Sequence, residues 1–509
     1  MDLRKSDRVN QEDGAAAKVP SIASRWRVLA AGLFVMLCLA FTSRVWRVGD
    51  GGEYMAMALR LSEFKPPAMT PTETSEIKKQ LDGLGRGFNG LSLAFPSLTG
   101  SDGRQDQAHF WFYSMLAVPE VWLLRLFGVP PYHAFTLLNI GLLLGALWVA
   151  SGSLDWPALL LIFLSPVIWW IDKAHTEVFT FSLLTVAMTL MVEQPWWALV
   201  SAAVASTQNP SIAMALPIIA LTAITVRPTV LRNWRLYLGG VVAAAVAAIA
   251  PLYYEMRLHT LTSAFLTGSA LMIRPSLARL LLFLSDPNFG LIIWCPFLVV
   301  ATAATAIALL VRNRQGLLPV LGSVIIAGVF MCSFAQTPNL NSGGTFGMAR
   351  YAVWFIPLAI PTLARGQAVF GAIFYRWLIP VAVIASVWST AIAQPRYPEA
   401  YLHPTWLADR IWLYHPSFNN PIPEVFFERL AHTEAPIRPI ATSNCSKILL
   451  VGGREPSRLS VYVSGHARLH RRVPTCALTG PIPSVCTLPS AFCYANRTSS
   501  GYQIVEAPR

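Results

Sequence analysis

The sequence predicts an all-α polytopic membrane protein, a bundle of about eleven transmembrane helices with interfacial helices, followed by a small extracytoplasmic α+β domain at the C-terminus. Three observations lead there. Of 509 residues, 54% are hydrophobic and only 13% are charged, a balance outside that of soluble domains. The apolar residues gather into runs of membrane-crossing length. Arginines recur in the loops that one side of the membrane would hold. The formal charge of +13 is spread over connecting segments and the C-terminal tail, with no dense basic run interleaved with aromatics. That pattern suits membrane orientation and anionic headgroups and argues against nucleic acid as a partner.

In chain order, residues 1–25 form a polar tail with Arg4, Lys5, Arg8, Lys18 and Arg25, cytosolic by the positive-inside rule. The first span, 26–46, has a long mixed-charge leader and no small-residue cleavage site, as expected of a retained anchor. It delivers 47–131 to the outer side as a long loop. Within that loop, 65–108 is polar, and its Gly83-Leu84-Gly85-Arg86-Gly87 lacks the Lys-Ser/Thr of a phosphate loop. The apolar stretch 109–128 contains Pro119, Glu120 and Arg125; charges are costly against lipid, so an interfacial helix is expected. Spans follow at 132–150, 156–171 and 177–193, with two more across 196–226, split at Thr207-Gln208-Asn209-Pro210. The last are 236–254, 288–311, 316–334, 351–364 and 368–392. Arg227, Arg232, Arg235, Arg312, Arg314 and Arg365 mark cytosolic turns. The chain then reads as multi-pass in the inner (plasma) membrane, with its N-terminus inside and C-terminus outside.

This topology gathers the unusual polar groups at the outer face. Asp50 and Glu53, spaced i, i+3, share one helix face. Tyr54, Met57, Ala58, Leu61 and Phe64 follow at helical spacing, as in a helix lying in the membrane interface. Asp-Gly-Gly-Glu is equally a capping box with Asp50 as N-cap. Asp172-Lys173-Ala174-His175-Thr176-Glu177, Gln208 and Asn209 join His109 on the same side. A carboxylate there can take a proton from a hydroxyl, and a cation can neutralise a departing phosphate. Asp50 is the candidate base, Glu53 its partner, and His175 and Glu177 assist through a hydrogen bond or a divalent metal ion. Burial beside lipid is expected to raise the Asp50 pKa. The competing readings are a packed histidine at position 175 and an exposed Asp172–Lys173 ion pair. A later outer segment carries Arg257, His259, Arg274, Arg279 and Asp286. The glycine-rich stretch 336–351 presents Arg350 where the chain re-enters the membrane. There it either pairs a phosphate or snorkels to headgroups.

The motifs GDGGEYMAMA, HFWFYSMLAVPEVWLLRLFG, SPVIWWIDKAHTEVF, TQNP, LSDPNFGLIIWCP and GGTFGMARYAVWFIPLAIP resemble segments of the GT-C superfamily. These are polytopic glycosyltransferases that use polyprenyl-phosphate sugars, and the group includes protein O-mannosyltransferases and lipid A aminoarabinose transferases. The resemblance covers 26–393. It implies an inverting transfer from a polyprenyl-phosphate sugar donor to a hydroxyl of an extracytoplasmic glycan, lipid or protein. Asp50 would be the base, with Glu53, His175 and Glu177 nearby. Tyr54, His109, Asp172, Lys173, Gln208, Asn209, Arg274, Arg350 and Tyr351 would line the substrate site, Arg350 holding the lipid phosphate. The sequence departs from the lipid A enzymes in lacking a lysine at TQNP and in its longer first loop, which leaves donor and acceptor open.

Residues 394–509 are expected to form the outer domain. Cys445, Cys476, Cys486 and Cys493 suggest disulfides in an oxidising compartment, and 447–451 and 459–463 read as strands. The sequon at Asn496 is discounted. Two other classes remain open: a secondary transporter, although no internal repeat is evident, and a non-catalytic scaffold for envelope polysaccharide assembly.

Overall fold

A computed structural model describes residues 21–42, 45–90, 93, 95–267, 275–312, 316–337, 340, 347–388, 402–432, 447–451, 492–498 and 501–506. The chain is mostly helical, and four helices are long and apolar enough to cross a bilayer: Ile22–Thr42, Pro131–Ala150, Trp234–Leu258 and Leu317–Phe334. Shorter apolar helices cover Glu177–Leu190, Pro195–Ser206, Pro210–Val226, Pro296–Arg312 and Arg376–Val387. A membrane protein built of helices is the architecture these segments support.

In order, the helices begin with α1 (Ile22–Thr42), α2 (Gly51–Ser62), α3 (Pro71–Leu84), α4 (Phe112–Leu116), α5 (Val118–Leu126), α6 (Ala134–Ala150) and α7 (Trp156–Phe163). They continue with α8 (Glu177–Leu190), α9 (Pro195–Ser206), α10 (Ala215–Val226), α11 (Trp234–Leu258), α12 (Ser263–Leu266), α13 (Leu277–Ser285) and α14 (Leu291–Trp294). The last are α15 (Pro296–Arg312), α16 (Leu317–Phe334), α17 (Arg350–Val353), α18 (Ile360–Leu363), α19 (Gly366–Val387), α20 (Trp406–Tyr414) and α21 (Pro423–Ala431). In α1 only Met36 is buried, as in a helix whose sides face lipid. Helix α9 packs between α8 and α11, and its buried Ala198, Ala202, Ala203 and Ala205 let the backbones approach closely.

Three expected spans differ, and one of them, 288–311, is interrupted at Cys295 between α14 and α15; the other two are broken further. Within 156–171, α7 has eight residues, about 12 Å of helix, because Pro166 ends it and a short 3₁₀ turn follows. The stretch 351–364 is likewise divided into α17, a 3₁₀ turn and α18, with Pro357 and Pro361 at the breaks. Neither is a continuous crossing helix.

Helix α2 is also not where its periodicity suggested. All of its residues except Leu61 are buried, so it lies inside the protein rather than along lipid. Tyr54, Met55, Ala56, Met57, Ala58 and Leu59 share one core with Met69, Ile77, Leu81, Tyr113, Val121 and Phe179. The outer loop folds over it. Thr70 and Glu73 cap α3 reciprocally, Thr70 Oγ1 accepting from Glu73 N at 3.3 Å and Thr70 N donating to Glu73 Oε2 at 2.8 Å. Glu73 also binds Arg60 of α2 at 3.1 Å and Arg104 at 2.9 Å. Phe64, at the end of α2, is 87% exposed and has a left-handed backbone (φ 56°), which turns the chain back toward α3.

After α21, Lys447–Val451 (β1), Phe492–Thr498 (β2) and Gly501–Glu506 (β3) form an antiparallel sheet in that order. Leu449 and Tyr494 of the sheet pack on Trp412 of α20 and Phe426 of α21. The expected strand at 447–451 is present, and 459–463 lies outside the described residues. So do Cys445, Cys476 and Cys486; Cys493 lies on β2, and no disulfide occurs among the described residues. Asn496 is buried and accepts from Lys447 Nζ at 2.6 Å.

The burial of α2 makes a labelling prediction. With Met57→Cys and Phe64→Cys placed in turn on the intact protein, a water-soluble maleimide should modify position 64 and leave position 57 untouched. Fast reaction at 57 would return α2 to the surface.

Candidate active site

Asp50 is the residue immediately before α2, yet its side chain makes no capping bond. Its Oδ2 instead accepts from Arg350 Nη1 at 2.8 Å and lies 3.5 Å from Nε2 of both His109 and His175. Each histidine reaches back to a second acid. His109 Nδ1 is 3.2 Å from Glu53 Oε2, which also accepts from Ala108 N at 2.9 Å. His175 Nδ1 is bonded to Glu177 Oε2, and both of these side chains are buried. Three carboxylates thus interleave with one guanidinium and two imidazoles, which sets aside the capping box and joins residues 300 positions apart. Tyr54 wedges between the imidazoles, its ring centroid 5.1 Å from that of His109 and 6.0 Å from that of His175.

Local structure explains how these groups meet. At Gly51 an added Cβ would lie 3.1 Å from the Ala174 carbonyl oxygen, so glycine lets α2 start against the turn that carries His175. That turn is hung on Asn139 of α6, whose Nδ2 faces the carbonyls of Trp170, Ile171 and Lys173 at 3.0–3.2 Å while Oδ1 accepts from Tyr113 OH at 2.8 Å. Arg350 is placed by the turn after α13. Asp286 Oδ1 accepts from Asn288 N at 2.7 Å, and Phe289 O accepts from Ala349 N at 3.0 Å. Gly347, at φ +75°, fits between Trp169 and Trp294, where a Cβ would come within 3.0 Å of each.

The cluster forms one wall of a cavity of about 850 Å³. Asp50, Glu53, His109, Gln208, Asn209, Arg350 and Tyr351 line it, together with Phe95, Phe265, Leu266 and Phe334. His175 and Glu177 sit behind that wall, and Tyr54 touches the cluster without lining the space. Asp172 and Lys173 are not among the residues that line the cavity; they form a buried pair with each other, so the exposed-pair reading does not hold. Arg274 lies outside the described residues. Arg257 is engaged by Asp102 and Asp106, and Arg279 donates to Ala335 O and Thr337 O at 2.6 Å. Asn139 was missed by sequence reasoning; its signal was a lone amide in the apolar run 132–150.

The electrostatics reverse one expectation. Burial by itself would raise the Asp50 carboxyl, but His109, Arg350 and His175 outweigh it and hold Asp50 well below the usual carboxylate range. Burial opposes charge on His175 too, yet Glu177 and Asp50 push it up to about 9, and His109 is raised by Asp50 and Glu53 in the same way. His175 is therefore a cation near neutrality, and the neighbouring acids favour the charged form of His109 as well. Asp50, Glu53 and His109 bring ligand atoms within 4.8 Å of one another, which invites a divalent ion. The Arg350 guanidinium on Asp50 Oδ2 places a positive charge beside these atoms that would oppose such an ion.

Two measurements follow. His175 has a folded pKa above its unfolded one, so the stability it contributes is complete below about pH 6.5 and is lost as pH rises toward about 9; thermal unfolding should show that alkaline decline and His175→Gln should flatten it. Asn139→Ala removes the amide that the carbonyls of Trp170, Ile171 and Lys173 share and the acceptor of Tyr113 OH, and should cost about 1–3 kcal/mol, read as a lower Tm, with Asn139→Asp no better because an ionised carboxylate cannot donate.

No protein-family model, curated protein or solved structure matches this chain, so the geometry of the cluster carries the functional reading.

Proposed function

We propose that the protein is an integral membrane glycosyltransferase of the GT-C type that transfers a hexosyl or pentosyl group from a polyprenyl-phosphate donor to a hydroxyl acceptor. The acceptor is an extracytoplasmic glycan, lipid or protein, and the anomeric centre inverts. The reading takes a multi-pass helical bundle in the inner membrane, in which 156–171 and 351–364 are broken rather than continuous helices, with the cavity and the C-terminal residues on the outer side. The observation that supports it best is a carboxylate and a guanidinium, Asp50 and Arg350, 2.8 Å apart on the wall of a cavity with both polar and apolar linings.

Each part has a task in such a transfer. The phosphate would meet Arg350 and His109, whose positive charge stabilises the leaving oxyanion. The prenyl chain suits the apolar side formed by Phe95, Phe265, Leu266 and Phe334. Gln208 and Asn209 offer neutral hydrogen-bonding groups to the sugar. Asp50 takes the acceptor proton while the new oxygen–carbon bond forms at the anomeric carbon. The old carbon–oxygen bond breaks with its electron pair leaving on the phosphate, and His175, braced by Glu177, keeps the carboxylate in place.

The test is transfer of labelled sugar from a panel of polyprenyl-phosphate donors by purified protein. Asp50→Asn and Arg350→Lys should each lower kcat by roughly 10²-fold or more, with both variants folded. Turnover by Asp50→Asn at the wild-type rate would remove Asp50 from the chemistry. Absence of turnover with every donor, in a protein whose cellular role survives the substitution, would favour the transporter or scaffold.

A further inference from the structure

The contacts on Asp50 fall on a single oxygen, Oδ2, which receives Arg350 at 2.8 Å and stands 3.5 Å from both imidazoles. The cations differ in access. Arg350 and His109 line the cavity, whereas His175 is 1% exposed and braced from behind by Glu177. Arg350 Nη2 is also engaged, donating to Tyr351 OH at 3.0 Å. Among the described residues Arg350 is the single guanidinium on the cavity wall. An incoming phosphate therefore finds its strongest partner already paired with a carboxylate of this chain through Nη1, and inside the cavity the two anions repel each other.

Building on the donor reading above, we propose that Asp50 and the donor's phosphate are alternative counter-ions for Arg350 and His109. The unliganded protein keeps its phosphate site filled by its own carboxylate, and donor binding exchanges one anion for the other. After exchange, Asp50 retains only His175, its proton affinity rises, and Oδ2 is free to face the acceptor hydroxyl. The base becomes active only when the leaving group is in place, and an empty site holds its carboxylate shut.

The test is binding rather than turnover. Full-length protein in lipid nanodiscs is titrated with geranylgeranyl phosphate by calorimetry, for wild type, Asp50→Asn and Arg350→Gln. Removing the competing anion should tighten binding on the order of tenfold in Asp50→Asn, and Arg350→Gln should abolish it. In wild type, carbodiimide labelling of Asp50 should rise when the prenyl phosphate binds, a readout that needs no variant. Equal or weaker binding by folded Asp50→Asn, or labelling that falls on binding, overturns the exchange and leaves the donor reading intact. No binding by wild type or Asp50→Asn overturns both.

Discussion

A charged pair that spans the chain, Asp50 against Arg350, sets what the surrounding structure must do. Placing a carboxylate where it is only 28% exposed costs several kcal/mol unless partners compensate, and one guanidinium is reinforced by two imidazoles. Each imidazole in turn needs an acid of its own, Glu53 for His109 and Glu177 for His175. The result is an alternating array of acids and cations, so four separate stretches of sequence are bound to one point.

That array depends on backbone that is itself held without much regular structure. The turn with His175 hangs from Asn139, and the segment with Arg350 hangs from Phe289 and from the fit of Gly347 between two tryptophans. The C-terminal residues contribute to the same support. Thr405 bonds Asn288 and Pro287, Asn419 bonds Asp286, and Glu424 accepts from Leu340 N. The C-terminal segment thus buttresses the turn that presents Arg350, which gives it a structural part in the site even though no described residue after Tyr351 lines the cavity.

Helix α2 shows how a local pattern is reassigned by its surroundings. Apolar residues at helical spacing beside two acids describe an interfacial helix as well as a buried one. The decision came from 65–128, a polar and mixed stretch whose α3, α4 and α5 close over it. Asp50 followed the same rule. Its spacing from Glu53 suits a capping box, but a capping bond is worth about 1 kcal/mol, less than leaving a buried arginine without a counter-ion.

Composition and hydrophobic runs were enough to identify a helical membrane protein, to place most apolar helices within a few residues, and to nominate Asp50, Glu53, His109, His175, Glu177 and Arg350 as a group. Those inferences rest on the bilayer's demand for long apolar helices and on the rarity of charge near lipid, both of which act residue by residue. Sequence could not say that Asp172 and Lys173 are buried against each other, that Asn139 carries the His175 turn, or that Asp50 is held low rather than raised. Each of these is set by which distant group lies within a few ångströms, and that distance exists only once the helices have packed.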